Sequence, residues 1–475
     1  MPSFQWSISI SMFLISATIS DAQSTTKNIP NTDHPTDFEN LTKTSTCFVD
    51  KTPLLETLFS DSPHDHRIIS ITTPRGFGRT TNLDMIRRFA SIETDSQGTR
   101  RNKFISSAYH IFGPQANLSI SRNDLLIQDH LGMYPVIYLD LSNVTAPSIR
   151  ETMQNLHERI KQSYQRCEWL ENKKLRMSQN TIGILEHSKH KSDWKFISKM
   201  MKNLVNVVDI QNSISKLIQM LVEQFQHKAI LLIDNYDAPL MDAVYHQSNN
   251  SVGRFYEFFN AFFSSTLDDS VNDTELVILT GRHPVSIKTQ TEIDFYSFLS
   301  DHDLSQFFGF NEAQVQHLLD LNPGSVSIQE LRNNFGGYLI NGSSTPLYNP
   351  SSVYEYFHSI RAQNQTEISS TPLYDPQIHK LVKRFMSNVT WQQDKGIEGY
   401  WGDRSFEIIP RFDVDQLERI ASVINGSESI TGSDLDMYFS ILFVNGYFTH
   451  PNDTAPDVIA FPNLQMMTTF QQYLN

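Results

Sequence analysis

The sequence predicts an α/β fold: a parallel sheet with helices on both faces, followed by a mainly helical C-terminal region. Three observations predict it. The apolar runs Ala229-Ile230-Leu231-Leu232-Ile233 and Leu276-Val277-Ile278-Leu279 are continuous rather than alternating, as strands buried on both faces require. They alternate with segments whose apolar residues recur at helical spacing. A glycine-containing turn, Pro74–Gly78, joins the first strand pattern to the first long helical one.

In chain order, residues 1–22 read as a secretory signal. Met12-Phe13-Leu14-Ile15 through Ile19 lead to Ser20-Asp21-Ala22, with small residues where a signal peptidase inspects, so cleavage is expected after Ala22. Residues 23–45 are polar and without hydrophobic periodicity, a flexible lead-in. Order is expected from Cys47 onward. His66–Thr72 has a strand pattern, and after the glycine turn Leu83, Ile86, Phe89 and Ala90 fall at helical spacing. Val136–Asp140 reads as a second strand. From Ile149 to about Met220 the pattern is mostly helical, with Leu156, Ile160 and Tyr164, then Leu204, Val207 and Val208, at helix-compatible intervals. Ala229–Asp234 is a strand ending in a carboxylate, and Leu276–Gly281 is another strand. Phe255, Tyr256, Phe258, Phe259, Phe262 and Phe263 sit at the spacing of a core-packed helix, which is preferred over a base-stacking patch. The expected division is one α/β unit over 46–304 and a helical, lid-like region over 305–475.

Composition limits the function. Hydrophobic residues make up 39% and charged residues 19%, which describes a globular chain. The net charge of -14 argues against a phosphate-backbone binder, so no nucleic acid is expected. With mean hydropathy at -0.34, no membrane attachment is expected after signal cleavage. Acceptor asparagines in N-x-S/T stand at Asn40, Asn117, Asn143, Asn249, Asn272, Asn341, Asn364, Asn388, Asn425 and Asn452, in keeping with a secreted, extracellular glycoprotein. The two cysteines, Cys47 and Cys167, form one disulfide or remain two buried thiols; a bridge would add about 4–5 kcal/mol in the chain-entropy model. Asp61-Ser-Pro-His64-Asp65-His66, and the pair His187 and His190, read as solvated surface rather than metal sites.

Three segments carry chemistry. Thr73-Pro74-Arg75-Gly76-Phe77-Gly78-Arg79-Thr80 lies between a strand and a helix, where backbone N–H groups and a helix N-terminus can cradle phosphate. Asp234 ends a buried strand, where a sheet of this kind places a metal-holding carboxylate; the other reading is a carboxylate that caps a turn. Leu279-Thr280-Gly281-Arg282 puts a polar strand end in the position of a γ-phosphate sensor, and Arg282 either meets phosphate or pairs with an acidic neighbour.

These motifs, in order with Phe48-Val49-Asp50-Lys51-Thr52, Phe308-Gly309-Phe310, Phe335-Gly336-Gly337-Tyr338, Tyr348-Asn349-Pro350 and Gly446-Tyr447-Phe448, resemble the AAA-ATPase-like family of P-loop proteins across residues 47–475. The resemblance implies a P-loop NTPase-type sheet, ATP and Mg²⁺ as cofactors, nucleotide contacts from Gly76, Gly78, Arg79, Thr80, Thr81 and Thr280, and Mg²⁺ contacts from Asp234 and Thr80. The chain departs from the family pattern where the chemistry is done. Thr73 and Gly76 replace arginines, Arg79 replaces the loop lysine, and Asn235 replaces the glutamate after Asp234. Arginine keeps the charge but not the compact ammonium, and an amide can orient water but cannot accept its proton. The expectation is a pseudo-ATPase that acts by binding an unidentified protein partner, its nucleotide affinity weak or lost. The alternative is an active Mg-dependent nucleotide hydrolase in which another carboxylate, such as Asp237, takes over. The nuclease domain of many relatives is not expected, since no Glu-x-Lys follows Tyr348.

Overall fold

The computed structural model describes residues 37–45, 47–60, 67–96, 98–166, 187–246, 249–298, 304–322, 326–340, 345–363, 373, 375–388, 407–428, 431, 434–450 and 459–474. The signal segment 1–22, most of the lead-in, Cys167, His64 and His66 lie outside them, as do the side chains of His187 and His190.

Five strands form one parallel sheet: β1 (Arg67–Thr72), β2 (Val136–Asp140), β3 (Ala229–Asp234), β4 (Thr274–Gly281) and β5 (Asp294–Ser297), in the spatial order β2-β3-β4-β1-β5. Every residue of β3 is buried, as its unbroken apolar run requires of a strand covered on both faces. The short strand β5 was not foreseen; four residues of mixed polarity give too little pattern to separate from a loop.

Strand order decides what meets at the carboxyl-end edge. The strand bearing Thr280 lies between the one feeding the glycine turn and the one bearing Asp234. In register, Asp140 pairs with Asp234, Asp234 with Thr280, and Thr280 with Ile71. Three polar residues, widely separated in sequence, therefore stand in one row where ligands of open α/β sheets bind.

The helix Arg79–Ala90 follows the turn directly and buries Leu83, Met85, Ile86, Phe89 and Ala90, while Arg87 and Arg88 occupy its last turn, where the helix dipole favours cations. The helix Asn249–Asp268 buries the aromatics at 255, 256, 258, 259, 262 and 263, which makes them core.

Two expectations need correction. The lead-in was to stay unstructured to residue 45, but Phe38–Thr44 is a helix capped by Asp37. It is fastened by Phe38, whose ring stacks on Phe112 at 5.5 Å and whose N–H donates to Asp84, and by Arg88, which pairs with Asp37 and Glu39. The apolar spacing at 204–208 was read as helix. Val207 and Val208 do open a short helix, Val207–Gln211, with Ser213–Phe225 after it, but Asn203 takes a left-handed backbone (φ 57°) and Leu204 stands 66% exposed outside any helix.

The region after 305 is mainly helical as expected, but much of it shares the main core. The helix Val414–Asn425, opened by a capping box between Asp413 and Gln416, packs on Ala238–His246 and Asn249–Asp268. A smaller apolar cluster gathers Cys47, Val315, Leu318, Leu331, Phe335, Tyr348, Val353, Tyr356 and Phe357. Cys47 is thus buried; its pairing with Cys167 falls outside the described residues. Of the acceptor asparagines, Asn40, Asn117, Asn143, Asn272 and Asn425 are exposed. Among the described residues no helix is long and apolar enough to cross a membrane.

Candidate functional site

The turn after β1 is built on two left-handed glycines, Gly76 (φ 87°) and Gly78 (φ 78°). Gly78 caps the helix Arg79–Ala90 without a side-chain hydrogen bond, so the first N–H groups of that helix are left for an anion. At Gly76 a Cβ would meet Asn349 Oδ1 at 2.6 Å. That contact belongs to a brace from the C-terminal region: Asn349 Nδ2 donates to the Arg75 carbonyl (3.0 Å), and the Ser351 N–H donates to the Gly76 carbonyl (3.1 Å). Phe77 packs between Phe298 and Tyr338, ring centroids 4.4 and 5.0 Å away.

Asp234 is fully buried, and the residues expected around it are there. Thr80 Oγ1 donates to Asp234 Oδ2 and Thr280 Oγ1 to Oδ1, each at 2.6 Å; the Tyr138 hydroxyl adds a longer bond of 3.4 Å. Burial raises the Asp234 carboxyl above its ordinary range, while the Arg79 charge and the two threonine hydroxyls pull the other way. Residues of this chemistry fit Mg²⁺. A hard cation that keeps most of its water needs only a carboxylate and a hydroxyl beside phosphate oxygens, and among the described residues there is no three-ligand His/Cys/Asp/Glu cluster for a softer metal.

Arg79 does not point as a phosphate-holding lysine would. Its guanidinium folds back and donates to the carbonyl of Thr73 and, at 2.8 Å, to that of Gly281, tying the ends of β1 and β4 together. Burial pulls its pKa below the usual guanidinium value, opposed by Asp234 and Asp237. Thr81 lines a cavity of about 390 Å³ beside the turn, whose lining also includes Phe48, Phe308, Phe310 and Tyr354. A wall of aromatic rings next to a phosphate cradle suits a nucleotide base. Lys51 also lines it, but its ammonium is spent on the carbonyls of Gln306 and Gly309 and on Gln314 Oε1 (2.7–2.9 Å). Burial pushes the Lys51 pKa down to about 7, against the nearby Asp50 charge.

Asp237, the stand-in carboxylate of the alternative reading, is committed elsewhere. It is buried and accepts from the N–H groups of Arg282 and His283 and from His283 Nδ1 (2.8–3.1 Å). Burial works to raise it, but the His283 bond and charge, with Arg79, outweigh that and hold the carboxyl below its ordinary range. His283 Nε2 in turn faces Asn445 Nδ2 at 3.0 Å, and Arg282 pairs with Asp375 at 2.7 Å. The acidic-neighbour reading of Arg282 holds.

Asn235, singled out in the sequence, and Asp140, which the sequence left without a role, meet at the site. Asn235 is left-handed (φ 56°), and its amide donates to Asp140 Oδ1 at 3.0 Å. Asp140 closes β2; only the register between β2 and β3 reveals that it neighbours Asp234.

The family model described as predicted AAA-ATPase matches residues 35–291, which hold the glycine turn, all three sheet-edge polar residues and Asp237 with its donors Arg282 and His283. No curated protein matches the chain.

Proposed function

This chain belongs to the AAA-ATPase-like family, and from that premise we propose that it is an exported glycoprotein which binds Mg-nucleotide weakly and works through binding rather than rapid hydrolysis. One observation supports the reading: Thr80 and Thr280 both donate to Asp234, an arrangement suited to a hydrated cation beside phosphate, while the residues expected to drive turnover are altered. Arg79 is occupied by backbone carbonyls, and position 235 carries an amide. A bound Mg²⁺ would supply charge neutralisation between phosphates. The chain's own contribution is to bind: backbone N–H groups at 78–81, the Thr80 hydroxyl and the aromatic wall. Export rests on the leader-like residues 1–22 and on exposed acceptor asparagines.

The test uses purified, glycosylated full-length protein. Mg·ATP is expected to raise its melting temperature by mass action, and turnover is expected well below about 1 s⁻¹, the lower end for working enzymes. A faster rate rejects the reading, as does a melting temperature indifferent to Mg·ATP. Secreted protein should begin at Gln23; a retained Met1 overturns the export part.

A further inference from the structure

The carboxylate missing from position 235 has a neighbour able to replace it. We propose that Asp140 is the general base for the slow hydrolysis this site retains, with Asn235 as the residue that positions it. The inference rests on the Mg-nucleotide reading above.

Position is the first argument. Asp140, Asp234 and Thr280 are register partners across three adjacent strands, so Asp140 stands at the same carboxyl-end edge as the metal-binding carboxylate, one strand further from the turn. Asn235 supplies the second. Asparagine is one of the few residues other than glycine that tolerate a left-handed backbone, and here that conformation accompanies an amide directed across to β2, 3.0 Å from Asp140 Oδ1. An amide can hold a carboxylate and orient a water beside it; the carboxylate can take the proton.

Availability is the third. Asp234 and Asp237 are both buried and engaged by their neighbours, whereas Asp140 is half-buried and water can reach it. Among the described residues its donors are the Ser142 N–H and hydroxyl, each at 2.9 Å, and the Asn235 amide: three, against about four lone-pair sites on a carboxylate. Capacity remains for a water. In the step assigned to it, the water oxygen bonds to the γ-phosphorus and its proton passes to an Asp140 oxygen. The β,γ-bridging P–O bond breaks, and the products are ADP and inorganic phosphate.

The competing role is structural: Asp140 could serve only to cap the turn through Ser142. Asp140→Asn separates the two, because it keeps an oxygen for the Ser142 N–H and removes the base. On full-length glycosylated protein, single-turnover hydrolysis of Mg·ATP should fall by about 10² or more in Asp140→Asn. KM for Mg·ATP should hold, and the melting shift given by Mg·ADP should stay as in wild type. Asn235→Ala should lose about tenfold in kcat with KM unchanged, the mark of a positioning residue. An Asp140→Asn rate within twofold of wild type overturns the proposal. So does a wild-type protein with no measurable turnover, in which case a persisting Mg·ADP shift leaves the binding reading intact. Absence of that shift sinks both.

Discussion

Asp234 and Asp237 lie three residues apart on one strand end, both buried, and their surroundings push them in opposite directions. Asp234 meets hydroxyls, which can turn away to let a cation in, and its carboxyl is raised. Asp237 meets a histidine and two backbone N–H groups, which cannot leave, and its carboxyl is lowered. A carboxylate held by hydroxyls that can rotate away can open to a cation; one held by fixed donors is a rivet. Burial alone does not distinguish them. The partners do.

The sharpest way to break this contrast is to remove the rivet. Asp237→Ala leaves His283 and two N–H groups without their acceptor, and should destabilise the protein by about 3–5 kcal/mol in urea denaturation. A loss under about 1 kcal/mol would show that the cluster is not what secures the strand end.

A smaller effect lies in pH. Asp237 has a folded pKa below its ordinary 3.8, so its contribution is complete above that value and is lost as pH falls through the folded one. Asp234 has a folded pKa above 3.8, so the folded state holds its proton more tightly, and stability falls as pH rises from 3.8 through the folded value. Asp234→Asn should therefore flatten the upper limb of a stability–pH curve and Asp237→Asn the lower. If both variants flatten the same limb, the contrast fails.

Smallest of all, Tyr138→Phe removes only a long bond to Asp234 and should shift stability by about 0.5 kcal/mol or less. A larger loss would mean that the tyrosine, not the threonines, holds the carboxylate.

Much of this arrangement was legible in the sequence. Strand β3 and its terminal Asp234 show themselves because a run buried on both faces must end where backbone pairing ends, and a carboxylate there has few reasons to exist beyond a ligand or a cap. Gly76 and Gly78 show themselves because left-handed turns favour glycine. What stayed hidden depends on register and on distance along the chain. Asp140 became a site residue only when β2 was seen to lie beside β3, and Asp375 became the partner of Arg282 from 93 residues away. The apolar spacing misled at Leu204 because periodicity carries no record of a left-handed residue at Asn203. The fate of Arg79 was hidden for another reason: whether a long cation reaches outward or folds back depends on which carbonyls lie behind it.

The brace on the glycine turn has a consequence for how the molecule is made. A ribosome releases residues 74–78 long before residues 349–351, yet the Arg75 and Gly76 carbonyls find their donors only in the latter. The glycine turn is thus encoded early and finished late, so a nascent chain halted before residue 349 should emerge with its sheet under way and this turn still slack.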